Sequence, residues 1–520
     1  MPPRLDDLAL APLSSSYNIF VTTVLLLSIA AAVVQRFGFR SSRKPLPPGP
    51  AGDFILGNAR QIPDEFAWLH YEKLSKSFGD VVHLNALGQP VVVLSSTQAI
   101  SDVMGERGAV VSARPSSTFL GKLVGWDQSV VLSEPSTHWQ AQRRLLHQYL
   151  GATSMPAYHS IIEEEARAFC HRVLATTEGF MDESIQSMAK LIMRTTYGIN
   201  SKRGDEQVIA MANEVAENFE YSMKPGRFVV DAFPSLRYLP SWFPGADFRQ
   251  LSAEWKQQLH NAINTPFDRV KADMAAGKAE PSFAARVLAD RPLGINDGHI
   301  KWAAGSIYAT AVRNTMATLG TFLLAMIMHP DVQEKAQAEL DREIGQDRLP
   351  SISDRPNLPY IESVFKEVLR WHPAAPLAMP HRSTEDIEYR GWTIPKNSIV
   401  YGNTWALGHD PEIYPSPEKF NPDRYTAGTD VKDPREYAFG FGRRACSGQA
   451  FAESTVWTIM ATLLATNHMK RALDENGNEI AVAENYTHST PHHPIPFSYR
   501  FESRSAHIMS LLNASVETSA

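Results

Sequence analysis

The chain has 520 residues, 43% of them hydrophobic and 20% charged, with a formal net charge of -6 at pH 7. An acidic balance leaves no electrostatic footprint for a nucleic-acid backbone, so no nucleic-acid partner is expected. Two cysteines, Cys170 and Cys446, cannot build a disulfide framework, which points to a reducing compartment for the bulk of the chain.

In chain order, residues 1–18 precede Ile19 to Val34, IFVTTVLLLSIAAAVV, an uncharged and mostly apolar stretch. It is slightly short of the roughly 20 residues a typical bilayer wants and closer to a thin endoplasmic-reticulum membrane. Arg36, Arg40, Arg43 and Lys44 follow it, so the positive-inside rule keeps the rest of the chain in the cytosol. That positive flank is on the wrong side for a cleaved signal peptide, and no small-residue cleavage site follows. The expectation is a single-pass anchor over 19–36, a lumenal 1–18 and a proline-rich linker, 37–52, acting as a semi-rigid spacer through KPLPPGPAGD. The body is expected over 53–504, with a weakly ordered tail at 505–520.

Within the body, VVHLNALGQPVVVLSS and IEYRGWTIPKNSIVYGN alternate like strands punctuated by glycine or proline turns, while most of the remainder has helical periodicity. EEEARAFCHRVL places Cys170 on an amphipathic helix. The longest predicted helix begins near Asp297, a plausible N-cap, and runs until His329 and Pro330 stop it. Some 30 residues would cross about 45 Å, so this helix must be central. The fold class is mainly α with small β-sheets.

Cys446 sits in FGFGRRACSG, residues 439–448, just ahead of the apolar run QAFAESTVWTIMATLL. A lone cysteine is most often a small buried hydrophobe. Here Gly440, Gly442 and Gly448 permit close backbone approach, and the free N–H groups of a helix start favour a thiolate. No Cys or His lies nearby in sequence to complete a zinc site, whereas a nucleophile served by a distant His remains open. A single thiolate wrapped in backbone donors is better suited to one axial position on the iron of a planar cofactor.

At these residues the chain resembles the cytochrome P450 superfamily, heme-thiolate enzymes whose signature of Phe, Gly, Arg, Cys and Gly is matched by Phe439, Gly442, Arg444, Cys446 and Gly448. The resemblance covers essentially the whole chain and implies heme b, with Cys446 as the axial iron ligand. It also implies a buried network of Glu367 and Arg370, in IESVFKEVLRW, with Arg424, in FNPDRY. Trp139 and Arg143 in HWQAQRR, His381 and Arg382 in PHRS, and Arg444 match positions that partner the heme propionates.

One segment departs from the family. Where its long helix carries Gly, any residue, an acid and Thr, this chain reads ATAVRNT: Ala311 stands at the glycine, Arg313 at the acid and Asn314 at the hydroxyl, with Thr315 keeping the second threonine. Arginine does not release a proton at neutral pH, so the usual acid and alcohol relay lacks its recognisable parts. Ordered water, Thr315 or a substrate hydroxyl would then carry protons in an otherwise ordinary monooxygenase. Alternatively, Arg313 holds a substrate anion in a peroxygenase, isomerase or dehydratase, or pairs with the helix carrying Glu217 and Glu220.

The resemblance further implies oxygen insertion into a lipophilic small molecule, with electrons from NADPH through a cytochrome P450 reductase and cytochrome b5 as a second donor. Similarity of FPSLRYLPSWFPGADF and the 387–415 region to fungal members points to secondary metabolism on the cytosolic face of the endoplasmic reticulum. The pocket walls are expected at 116–131, 219–228, 309–315, 374–379 and 486–491.

Overall fold

A computed structural model describes residues 44–174, 179–200, 206–224, 226–426 and 428–519. The expected lumenal segment, the anchor and the start of the linker lie outside the described residues.

The longer helices are α1 (Ala67–Phe78), α2 (Thr137–Leu150), α3 (His159–Leu174), α4 (Phe180–Tyr197), α5 (Glu206–Ser222), α6 (Asp247–Ala275), α7 (Phe283–Asp290), α8 (Asp297–Met328), α9 (Pro330–Glu343), α10 (Pro359–Trp371), α11 (Gln449–Thr466) and α12 (Ala506–Ser519). The strands are β1 (Val81–Ala86), β2 (Gln89–Leu94), β3 (His381–Arg382), β4 (Ile387–Tyr389), β5 (Trp392–Ile394), β6 (Ile399–Gly402), β7 (Asn467–Arg471) and β8 (Tyr499–Ser503). They form a four-stranded sheet in the order β1-β2-β6-β3 and the pairs β4-β5 and β7-β8. The two alternating runs in the sequence therefore do form strands. Leu87 and Gly88 turn β1 into β2 with φ of 52° and 89°, matching the twist of a two-residue hairpin.

The long helix α8 starts one residue earlier than its predicted cap: Asn296 accepts from the His299 N–H, and the His299 side chain returns the bond to Asn296. It ends at His329 because Pro330, lacking an N–H, opens α9 instead of extending α8. By length and composition α8 could cross a membrane, but it is the buried axis of the body, packed along α4 and against α2, α5, α6 and α11. Helix α11 is also buried, although hydroxyls punctuate it. Ser454, Thr458, Thr462 and Thr466 each donate to the carbonyl four residues back, at 2.7–2.8 Å, so no hydroxyl of that row is left dry and unpaired.

Two expectations about the chain ends need correction. The proline-rich stretch is not a free spacer from residue 44 onward: the Pro45 carbonyl accepts from the Thr393 N–H and the Pro48 carbonyl from the His83 N–H, both at 2.8 Å, which binds it to the sheets. The tail is not weakly ordered, because α12 buries Ile508 and Leu512, one helical turn apart, against α3.

Candidate cofactor site

The cysteine loop is built by short-range backbone constraints. The Cys446 N–H donates to the Phe439 carbonyl at 2.7 Å, closing the loop, and Gly442 takes φ 53° at its tip. A Cβ on Gly442 would lie 2.1 Å from the Met104 carbonyl oxygen, so glycine is required both for conformation and for space. Gly448 caps α11, and its N–H donates to the Cys446 sulfur.

Cys446 is exposed, yet burial raises its thiol pKa, against which the Gly448 N–H and the Arg143 charge act. A group that is both accessible and desolvated lines an interior chamber and not the outer surface. Asn314 is likewise exposed although α8 is buried continuously from Thr315 to Ile327. Ala311, Phe439 and Ala450 are partly buried and pack in the same core cluster, giving the chamber apolar walls.

Around one end of the chamber three cations converge. Arg143 donates to the Ala445 carbonyl at 2.7 Å and the Ser447 hydroxyl at 2.8 Å, so it fixes the cysteine loop directly. Arg444 donates to the carbonyls of Ser112, Val130 and Ser133 and lies 4.4 Å from the Trp139 ring. Arg114, for which the sequence offers no motif, is buried and donates to the carbonyls of Val131, Met379 and Pro380. Burial, with Arg143 close by, lowers the Arg444 pKa to about 10, and burial together with Arg444 and Arg143 drives that of Arg114 down further. Among the described residues, no carboxylate forms an ion pair with any of the three.

Two buried nitrogens lack a partner: Trp139 Nε1, an N–H donor beside Arg444, and His381 Nδ1, which is bare in a neutral ring whose other nitrogen donates to the Val111 carbonyl. Burial, Arg114 and Arg444 hold His381 neutral, far below its ordinary pKa. Unpaired buried cations and the orphaned Trp139 N–H are costly until an anion arrives. A macrocycle bearing two carboxylates supplies what this end lacks, and Cys446 supplies a sulfur ligand, so the residues present fit heme. Among the described residues no group of three His, Cys, Asp or Glu side chains could hold a bare metal ion, so iron would have to arrive inside a cofactor.

Arg382 does not join this set. Residues on β3 alternate faces, and the buried side of that alternation belongs to His381. The Arg382 guanidinium instead meets Glu134 at 2.6 Å, Asn397 at 3.0 Å and the Arg114 carbonyl.

Behind the cysteine loop, Glu367 and Arg370 of α10 are fully buried and joined by two bonds of 2.8 Å. Arg424 Nε reaches Glu367 Oε1 at 3.2 Å, and the Asn421 N–H adds a third donor at 2.8 Å. Arg370 also donates to the carbonyls of Gly408, Pro417 and Lys419, so this network pins the segment leading into the cysteine loop.

Arg313 is not a free cation above the chamber. It pairs with Glu217 at 2.9 Å and Glu220 at 3.4 Å on α5, the helix-pairing alternative, and so is not left waiting for a substrate anion as the other alternative expected. In the segments expected to wall the pocket, Phe119 stacks on Phe228 at 3.5 Å and Trp126 meets Phe219 edge to face at 4.8 Å, within a buried aromatic cluster. Tyr486, an expected wall residue, is buried, stacking on His372 at 3.7 Å.

The comparisons agree with this geometry. The sequence pattern described as cytochrome P450 matches residues 47–477. Cytochrome P450 monooxygenase claR of Ampulloclitocybe clavipes is 38% identical, covering 90% of this chain and 88% of its own. Cytochrome P450 monooxygenase 105 of Postia placenta is 37% identical over 97% of both chains. The tryptamine 4-monooxygenase of Psilocybe cyanescens is 34% identical, covering 94% of this chain and 99% of its own. A zebrafish cytochrome P450 solved with progesterone superimposes with a TM-score of 0.69 at 23% identity, over 84% of this chain and 99% of that one, which supports the fold. The chain belongs to the cytochrome P450 family and is a monooxygenase of the heme-thiolate type.

Proposed function

We propose that this protein inserts oxygen from O2 into a lipophilic small molecule, an intermediate of fungal secondary metabolism, with Cys446 as the iron ligand. Electrons come from NADPH through a cytochrome P450 reductase, with cytochrome b5 as a second donor, and residues 19–36 anchor the enzyme to the endoplasmic reticulum with the body in the cytosol. The observation that carries the reading is the convergence of unpaired Trp139 Nε1 and His381 Nδ1 with three carboxylate-free arginines beside an accessible Cys446.

Bound heme supplies the iron at which dioxygen is reduced and one oxygen atom is transferred. The chain's own contribution is positional. Trp139, His381 and Arg114 would orient the two carboxylates, with the Arg114 charge opposing theirs, while Arg143 holds the cysteine loop through Ala445 and Ser447 and the Gly448 N–H bonds the sulfur. The fungal relatives, one of them named for hydroxylating tryptamine, support a small biosynthetic substrate.

The second reading, a peroxygenase, isomerase or dehydratase with its substrate anion on Arg313, loses its motive once Glu217 and Glu220 occupy that cation. Three measurements decide between them. Reduction under carbon monoxide gives a thiolate-type Soret shift in the wild type and none in Cys446→Ser. Turnover with NADPH and reductase exceeds turnover with hydrogen peroxide. Deletion of the gene removes an oxygenated metabolite from the host and accumulates its precursor. Turnover by peroxide alone would overturn the monooxygenase assignment.

A further inference from the structure

One polar side chain on the chamber face of α8 is left with an unused acceptor. Asn314 Nδ2 donates to the Thr310 carbonyl at 2.7 Å. A backbone carbonyl only accepts, so the amide has one orientation: its NH2 lies along the helix and its Oδ1 is turned outward. Among the described residues nothing donates to that oxygen. Ala311 and Ile307, one and two turns earlier on the same face, are apolar and partly buried, so the acceptor stands alone in a greasy wall. Arg313, the nearest candidate donor in sequence, is turned to Glu217 and Glu220 and does not compete for it.

Resting on the heme-thiolate reading, we propose that Asn314 determines specificity: its Oδ1 accepts a hydrogen bond from an N–H or O–H group on an otherwise apolar, ring-containing substrate. The apolar Ala311 and Ile307 beside it suit the ring, and Asn314 sets which edge of it is presented. Once a bound ligand covers it, an acceptor built to meet an N–H or O–H rejects an analogue without a donor more strongly than an apolar pocket rejects a missing methylene. The same feature explains the residue type: asparagine satisfies the helix with its amino group and keeps a carbonyl oxygen for the ligand, a division that threonine makes with a single atom.

The test uses the purified holoenzyme and three bicyclic probes of nearly equal size, indole with an N–H, indene with a CH2 and benzofuran with an acceptor oxygen, in optical titrations of the Soret band checked by calorimetry. The expected result is a preference for indole over indene and benzofuran of about tenfold, the factor that about 1.4 kcal/mol produces. Asn314→Leu abolishes that preference while keeping affinity for indene, and Asn314→Thr, whose hydroxyl still accepts, keeps about threefold of it. Asn314→Ala replaces the leucine variant if the latter fails to take up heme. Equal binding of indole and indene by the wild type, no response to indole, or a preference that survives in Asn314→Leu overturns the assignment. Loss of the carbon monoxide Soret shift in the wild type would instead defeat the heme-thiolate reading itself, so the two failures are distinguishable.

Discussion

His372 Nδ1 and His492 Nε2 lie 3.1 Å apart, joining the end of α10 to the C-terminal loop. Only one of two facing ring nitrogens can carry the shared proton, so the two imidazoles cannot both be charged. His372 Nε2 also stands 2.9 Å from Glu484, a geometry that would be an ion pair if the ring were charged. Burial and Arg370 outweigh that half-exposed carboxylate and take the His372 pKa to about 3, and burial with His372 takes that of His492 to about 3. His492 Nδ1 donates to the Thr487 carbonyl at 2.7 Å, so His372 Nδ1 is the donor between the rings, and a neutral His372 meets Glu484 with a bare Nε2 that only a protonated carboxyl can bond.

These rings make the protein acid-labile. In the unfolded chain they bind protons below about 6.5, whereas in the folded state they resist until about 3, so the unfolded state gains protons across that window. Stability is fully present above pH 6.5 and falls on acidification, by about 1.4 kcal/mol per pH unit for each ring. Urea midpoints measured between pH 7 and pH 5 should drop, and His492→Phe should flatten the slope. A midpoint unchanged over that range would show that the rings are charged in the fold.

The Glu367 network should behave as one unit. Glu367→Ala strands Arg370 and Arg424 in the interior at a cost of about 3–5 kcal/mol, because neither guanidinium can reach water. The variant should lose heme during purification and unfold at lower denaturant, while Arg424→Ala, which removes the longer 3.2 Å contact, loses less. The carbon monoxide spectrum per milligram of protein and the denaturant midpoint read the two effects separately.

Trp139 and His381 should control cofactor retention more than folding. Trp139 offers an unpaired buried N–H and His381 an unpaired buried ring nitrogen that becomes a donor once protonated, and a hydrogen bond to a charged carboxylate is worth about 1.5–3 kcal/mol. Trp139→Phe and His381→Phe should each speed heme transfer to apomyoglobin by about tenfold or more, with little change in the thermal midpoint of the apoprotein. Equal transfer rates would remove both residues from the cofactor cradle.

Arg313 should be dispensable for chemistry. Its bridges to Glu217 and Glu220 are partly exposed, so Arg313→Ala costs about 1 kcal/mol or less and leaves the thiolate spectrum intact. Reductase-driven turnover should stay within a few-fold of wild type at unchanged KM. Arg313→Glu, which gathers three carboxylates, should be the more damaging change. A large rise in KM for Arg313→Ala would restore the anion-anchor role.

What could be read from the sequence was whatever is encoded locally. The FGFGRRACSG loop, the Glu367 and Arg370 spacing and the end of α8 at His329 and Pro330 all follow from residues within a few positions of one another, while the α8 cap falls one residue before the predicted Asp297. Arg114 was invisible because its function arises only when residues 112–133 fold against the 379–381 strand entry, and no neighbour in sequence marks it. Arg382 was grouped with His381 through the resemblance of PHRS to the family's propionate-contacting strand, whereas here strand pleating buries His381 and turns Arg382 to Glu134 and Asn397. For Arg313 the sequence supplied the right partners among several options, and only the packing of α5 against α8 selects between them.

The contact between Arg143 and the Ala445 carbonyl spans 302 positions of chain. A ribosome adding 5–20 residues per second needs about 15–60 s to cover that distance. Throughout that interval β2 waits for β6, its parallel neighbour, with an unprotected edge. Nascent polypeptide can neither grip porphyrin nor seal its sheet until nearly the whole message has been read, so cofactor capture belongs to the last stage of biogenesis and chaperones must guard the earlier ones.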